Sequence, residues 1–394
     1  MNIVLFETNQ RNCLLPLCYT KPVALLRTGI LTILEKWKLR IEGSYSYKTE
    51  DYLREKYPLV LAEDNILLSS HICPTDELAA EVRHLVPGEG VTLGGIPVAC
   101  RLGKDDANNY PLTVNKIRWK DFPGACQMIR YPWDLTEGNA RQLLLDFSLL
   151  TGGRVSQKIS NTNRVLSPEN IFLEEGAKVE LATINASAGP VYIGKNACVM
   201  EGSLIRGPFA LCDHSVVNMG SKVYGPSTIG PYSKIGGEIA QSVVTGFSNK
   251  GHDGFLGHSV LGEWCNLGAG TNVSNLKNSY EKVKVWSYPD NKFIRTGLLF
   301  CGLIMGDHSK AGISTMFNTG TVVGVGCNIH GCGFPRQFVP SFSDGGASGY
   351  KVNQLKNAFD TAAKVMIRRN CVFTDNDQRI LTSVFERSAC YRKF

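Results

Sequence analysis

The densest run of reactive side chains in the sequence is Ser248-Asn249-Lys250-Gly251-His252-Asp253-Gly254-Phe255-Leu256-Gly257-His258. A neutral imidazole near its ordinary pKa is suited to taking a proton from an amine or hydroxyl as that group attacks a thioester carbonyl. A lone histidine more often caps a turn. His252, however, stands in a polar, glycine-rich break within an apolar repeat, which favours the proton-transfer reading. Asp253 or a backbone carbonyl would hold its tautomer, and N–H groups of Gly268-Ala269-Gly270 would stabilise an oxyanion. His252 and His258 are six residues apart, a spacing that raises the question of a metal site. His214, His308 and His330 supply no matching spacing, and no metal site is expected.

Positioning such a histidine is the task of the repeat around it. Aliphatic residues recur every six positions at Ile193, Val199, Ile205, Leu211, Val217, Val223, Ile229 and Ile235. A period of six walks around a 3.6-residue helix and marks no single helical face. It fits one short strand and one turn per hexad, with three hexads closing a triangular coil. The expected fold from about Ile171 to Gly331 is therefore a left-handed parallel β-helix with the ladder side chains inside the prism. The ladder slips after Ile235 and resumes as Phe255, Leu261, Leu267 and Val273, then as Met305, Ala311, Phe317, Val323 and Ile329. Between these last runs, Asn275 to Thr296 reads as a hairpin arm built on Val283-Lys284-Val285-Trp286 and Pro289-Asp290-Asn291.

Beyond Gly331 the periodicity becomes helical over Val352–Arg369 and Asp375–Arg387, segments expected to cap the prism. The run Lys364-Val365-Met366-Ile367-Arg368-Arg369 offers charge to a phosphate, a solvated helix end being the blander reading. The first half alternates elements: a strand at Asn2–Phe6, a helix over Gly29–Trp37, a buried strand at Asn65–Ser69, and helices at Thr75–Leu85 and Ala140–Leu149. That order predicts an α/β layer fold, joined to the repeat through the Ser-, Asn- and Gly-rich stretch from Gly152 to Asn170. The expected division is 1–155 for the α/β domain, 156–340 for the β-helix and 341–394 for the C-terminal helical segment.

Composition sets the outer bounds. The chain has 394 residues, 43% of them hydrophobic, enough for more than one core. A net charge of +7 without a dense basic run points to small anions such as phosphates or coenzyme A, and away from nucleic acid. The 13 cysteines are scattered without CxxC spacing, which suits reduced core thiols in a cytoplasmic protein. No apolar run is long enough for a bilayer, so no membrane partner is expected.

Lys250 to Gly257, followed by Gly262-Glu263-Trp264-Cys265-Asn266-Leu267-Gly268-Ala269-Gly270-Thr271 and Ser274-Asn275, resembles the acetyltransferase domain of the GlmU-type bifunctional family. Such enzymes acetylate glucosamine 1-phosphate and then form UDP-N-acetylglucosamine. The resemblance makes His252 the catalytic base, Asn266 and Asn275 substrate contacts, and Ala269 an acetyl-CoA contact. Phe255 and Leu276 stand where the family has tyrosines, and Ala240 where it has a phosphate-binding lysine. Lys234 or Lys250 is the candidate replacement for that charge. The first half resembles the family's sugar nucleotidyltransferase domain in shortened, divergent form. Its loop Glu7 to Pro16 lacks glycine, which leaves Arg11, Lys21 and Arg27 as candidate nucleotide-phosphate contacts. Ile66-Leu67-Leu68-Ser69-Ser70-His71 lacks the expected carboxylate for Mg²⁺, which would be needed only if this domain is active.

The resemblance implies an acetyl-CoA-dependent N-acetyltransferase acting on an amino-sugar phosphate, with acetyl-CoA as co-substrate, assembled as a homotrimer. The alternative is a sugar-1-phosphate nucleotidyltransferase, using a nucleoside triphosphate, whose β-helix serves trimerisation. A third reading is a non-catalytic scaffold or sensor.

Overall fold

The computed structural model describes residues 1–394 in two compact units. The first comprises Met1–Leu14, Thr20–Leu26 and Leu31–Arg130. The second comprises Leu15–Tyr19, Arg27–Ile30 and Tyr131–Phe394. The division by contacts thus falls at residue 130, earlier than the expected 155, and two short N-terminal segments count with the second unit.

The first unit is an α/β layer. Its strands are β1 (Asn2–Phe6), β2 (Ser44–Lys48), β3 (Asp64–Ser69), β4 (Ile72–Cys73), β5 (Glu89–Leu93), β6 (Ile96–Gly103), β7 (Arg118–Asp121) and β8 (Gln127–Met128). The main sheet runs β2-β1-β3-β6-β5-β7. β1 lies parallel to β2 and β3, while β6 is antiparallel to β3 and β5. Val4, Phe6, Leu67, Cys100 and Leu102 share a core with Tyr110. The helices are α1 (Ile33–Lys38), α2 (Asp76–Arg83) and α3 (Lys104–Asn109). α1 begins at Ile33, later than the expected Gly29, because Thr32 and Glu35 form a reciprocal capping box at its start. The expectation had no β5–β6 hairpin, whose turn is Gly94-Gly95 at positive φ.

In the second unit the six-residue ladder is a parallel β-helix. Ile193 pairs with Leu211, Val199 with Val217 and Ile205 with Val223, so one coil is eighteen residues. The three faces are a nine-stranded sheet, a ten-stranded sheet, and a six-stranded sheet continued by the pair Asn272–Val273 and Met316–Phe317. All eight residues of the first ladder lie in one buried cluster, and each such side chain contributes about 1.5–3 kcal/mol by leaving water. After Ile235 two corners shorten and the inward positions become Ile239, Val244, Lys250 and Leu256. The expected inward Phe255 is therefore corrected by one position. Leu256 is fully buried in the core, while Phe255 pairs with Glu238 on the outer register.

One corner carries a stack of rings, His214, Tyr232, Phe247, Trp264 and His308, with successive centroids 4.7, 5.2, 4.3 and 6.2 Å apart. Each holds positive φ, a conformation costing side-chain-bearing residues about 1 kcal/mol or more. The stacking offsets that cost. The arm folds as the antiparallel hairpin Lys284–Ser287 with Lys292–Arg295. The remaining helices are α4 (Asp134–Glu137), α5 (Asn139–Thr151), α6 (Leu355–Ile367) and α7 (Asp375–Arg387). No helix is long and apolar enough to cross a membrane.

Candidate active site

His252 sits at the corner that follows the strand Asn249–Lys250. Lys250 occupies an inward ladder position, paired with Ile235, and is 1% exposed. Its ammonium donates to the carbonyls of Gly236, His252 and Asp253. Asn218 Nδ2 donates to Gly251 O at 2.7 Å, and Gly270 N–H to Asp253 O at 3.0 Å. The main chain around His252 is thus tied on both sides. The exposed imbalance is in the side chain, since the imidazole makes no hydrogen bond within the chain and points to solvent. The expected orienting role of Asp253 is not seen.

The imidazole opens onto a groove of about 610 Å³. Its floor is a column of outward residues in strand register: Lys234 beside Asn249, Asn249 beside Asn266, and Asn266 beside Lys310. Phe247 and Trp264 of the ring stack border one side, and His252, Gly268 and Ala269 the other. Val365, Arg368 and Arg369 form a wall. Arg369 Nη2 donates to Asn249 Oδ1 at 3.1 Å. Lys310 Nζ donates to Trp264 O at 2.6 Å and His308 O at 3.0 Å. Burial lowers the Lys310 ammonium to about 8 against the raising pull of Cys265 and Asp307.

Of the glycine-rich segment beside His252, Gly268 N–H is spent on Ala311 O and Gly270 N–H on Asp253 O. Ala269 N–H is held by no such bond and lines the groove. It is the one donor of that segment free to meet a developing oxyanion.

The groove therefore brings together His252, Asn266, Ala269 and Lys234 of the sequence-derived set. Lys250 does not reach it, because its ammonium is consumed inside the prism. Asn275 does not line it either. Asn275 Nδ2 lies 2.9 Å from His258 Nδ1, and His258 stacks on Phe300. Burial pushes His258 down to about 4, which matches a neutral ring accepting from the amide. Lys310 and Asn249 escaped the sequence reading, although their signal was present: each occupies the outward position next to an inward ladder residue.

The sugar nucleotidyl transferase family model matches residues 3–155. That match covers the N-terminal part and less than half of the chain. Across a longer stretch, the chain is 28% identical over 224 residues to the bifunctional protein GlmU of Methanocaldococcus jannaschii, covering 57% of this chain and 48% of that protein. It is 26% identical over 227 residues to a bifunctional sugar-1-phosphate nucleotidylyltransferase/acetyltransferase of Sulfurisphaera tokodaii, covering 57% and 50%. The chain thus spans about half the length of these relatives. Among solved structures, a UDP-N-acetylglucosamine acyltransferase from Campylobacter jejuni is 17% identical, covers 60% of this chain and 83% of its own, and gives a TM-score of 0.34. The β-helix rests on the strand registers above and not on that likeness.

Within the nucleotidyl transferase domain, Arg11 and Lys21 are 4% and 3% exposed. Arg11 Nε faces Glu7 Oε2 at 3.2 Å, and its Nη2 donates to Tyr52 OH at 3.1 Å. Arg27 belongs to the second unit, where its guanidinium donates to the carbonyls of Thr245 and Ile30. The end of β3 offers Ser69, Ser70 and His71, and the Glu7 carboxylate already accepts from Val23 N–H and Thr49 Oγ1. This donor set does not fit Mg²⁺.

Proposed function

We propose that the protein is an acetyl-CoA-dependent N-acetyltransferase acting on an amino-sugar phosphate, with His252 as general base. The observation that carries the reading is the convergence of His252, Asn266, Ala269 N–H and Lys234 on one groove. In this mechanism the neutral imidazole takes a proton from the amine as its nitrogen attacks the thioester carbonyl. The carbonyl oxygen gains negative charge opposite the Ala269 N–H, the carbon–sulfur bond breaks as the oxyanion collapses to the amide, and the thiolate takes the proton back from the imidazolium and leaves as free thiol. Asn266 positions the acceptor, and the groove's cations hold its phosphate. The unpartnered imidazole and the absence of Asn275 from the groove support a site completed by neighbouring copies in a homotrimer. Light scattering of the purified chain tests this.

Glucosamine 1-phosphate with acetyl-CoA should release free thiol, and His252→Ala should remove at least 99% of that release. Unchanged turnover in the variant would overturn the assignment.

A second reading, sugar-1-phosphate nucleotidyltransfer, is favoured by the family match over residues 3–155. It predicts pyrophosphate release from a nucleoside triphosphate and a sugar phosphate, lost on Arg11→Gln or Lys21→Gln. The burial of both cations and the poor Mg²⁺ donor set weigh against it.

A further inference from the structure

At the edge of the nine-stranded sheet formed by Phe338–Val339, the arm, the last coil and the C-terminal segment enclose a second groove of about 420 Å³. It shares no lining residue with the groove beside His252. Its wall is aromatic. Cross-strand pairing in the arm sets Trp286 against Phe293, edge-on with ring centroids 5.4 Å apart. Phe338 takes the outward position next to the fully buried Val339 and stacks on Trp286 at 4.2 Å. Tyr350 joins them from the strand Gly349–Val352. Trp286, Phe338 and Tyr350 are half-buried, so each ring keeps accessible surface.

Two further features give this wall the character of a ligand site. Gln337 Nε2 donates to Lys284 O at 2.9 Å and to Thr319 O at 2.8 Å. Both partners are carbonyls, which fixes the orientation of the carboxamide and leaves Oε1 as an acceptor with no donor from the chain. Arg336 and Lys393 are exposed or half-buried at the groove without an ion pair, Arg336 lying 6.0 Å from the Tyr350 ring. No Asp or Glu side chain lines the groove. Each component matches one part of a nucleotide. Aromatic rings stack on a base of any identity. A fixed acceptor meets the N–H that every nucleobase carries, and a guanidinium with an ammonium suits phosphate oxygens. A lipid surface would instead be met by projecting side chains, whereas Trp286 and Gln337 lie in the recess.

We infer that this second groove binds a nucleoside phosphate. The base lies against Trp286, Phe338 and Tyr350 and donates an N–H to Gln337 Oε1, while Arg336 and Lys393 take the phosphate. The inference goes beyond acetyl transfer and does not depend on that reading. Because the walls come from the arm, the last coil and the C-terminal segment, a bound nucleotide bridges three parts of the chain and stabilises the folded state.

The test is calorimetric titration of the full chain with uridine 5′-monophosphate, adenosine 5′-monophosphate and ribose 5-phosphate. At least one nucleotide should bind, at least about tenfold more tightly than ribose 5-phosphate, which has no base to stack. The same nucleotide should raise the melting temperature. Arg336→Gln/Lys393→Gln should bind it at least about tenfold more weakly. Without ligand this double variant should melt like wild type, since neither side chain packs in a core. If the N-terminal region takes a nucleotide as well, the titration shows two sites and the double variant removes one of them. No nucleotide binding, equal binding of ribose 5-phosphate, or unchanged affinity and site number in the double variant would overturn the proposal. Sedimentation of the chain with phosphatidylglycerol vesicles, undiminished by nucleotide and lost in the double variant, would assign the surface to a membrane and overturn it too.

Discussion

Lys250 donates from inside the prism to the carbonyl of His252, so the residue in the core and the residue in the groove are joined through main chain. Burial lowers the Lys250 ammonium to about 8, with Asp253 opposing the shift. Keeping it charged at pH 7 costs about 3 kcal/mol relative to a solvated lysine. At the low end of about 1–3 kcal/mol per group, leaving its three carbonyl partners unpaired would cost a similar amount in total. Lys250→Met should therefore change the unfolding free energy by less than about 2 kcal/mol while lowering kcat at least tenfold, with KM little changed. Urea titration and steady-state kinetics check both. A fall in stability with unaltered kcat would make Lys250 purely structural.

The corrected register separates two adjacent residues. Leu256 is fully buried in the core and Phe255 faces outward. Leu256→Ala should cost about 2–5 kcal/mol, because it removes packed atoms and leaves a cavity. Phe255→Ala should cost less than half as much despite deleting more atoms. Chemical denaturation of the pair decides the register.

Stability should fall on acidification below neutrality. Burial, with Arg11 adding in the same direction, lowers His71 to about 4 despite its bond to Ile129 O. The unfolded histidine titrates near 6.5, so between pH 6.5 and 4 the unfolded chain binds more protons. The contribution is complete above pH 6.5 and is lost as pH falls towards 4, amounting to about 2 kcal/mol at pH 5. His258 acts in the same direction. His71→Gln should flatten the difference between unfolding curves at pH 7 and pH 5.

Binding of a phosphate ester should take up protons in mild alkali. Lys310 is lowered to about 8 by burial, so at pH 8.5 much of it is neutral. A bound anion favours the charged form and raises that pKa, so roughly half a proton or more is absorbed per ligand. Titration in two buffers of different ionisation enthalpy measures the uptake, which should shrink in Lys310→Met.

The ladder was readable because a six-residue period has one structural solution, and all of its first eight residues are buried. The helix at Asp375–Arg387 was readable from its periodicity, and the one expected at Thr75–Leu85 spans Asp76–Arg83, each capped by a threonine. The inward turn of Lys250 was not, because a polar residue at a ladder position looks like a break in the repeat rather than a member of it. The wall at Arg368 and Arg369 was visible only as charge. Where α6 packs depends on contacts far apart in sequence, such as Arg369 with Asn249. For the same reason Arg11 and Arg27, near neighbours in sequence, fall in different units.

The column Lys234, Asn249, Asn266 and Lys310 takes one residue from each of four consecutive coils. Stacked strands are ~4.8 Å apart, so the two lysines are separated by roughly 14 Å along the prism. The coil thus acts as a ruler: inserting or deleting a rung between them changes the ligand length that both ends can grip by one fixed step. Under the proposed function, the length of the accommodated ligand would change by whole coils while the corner at His252 stays as it is.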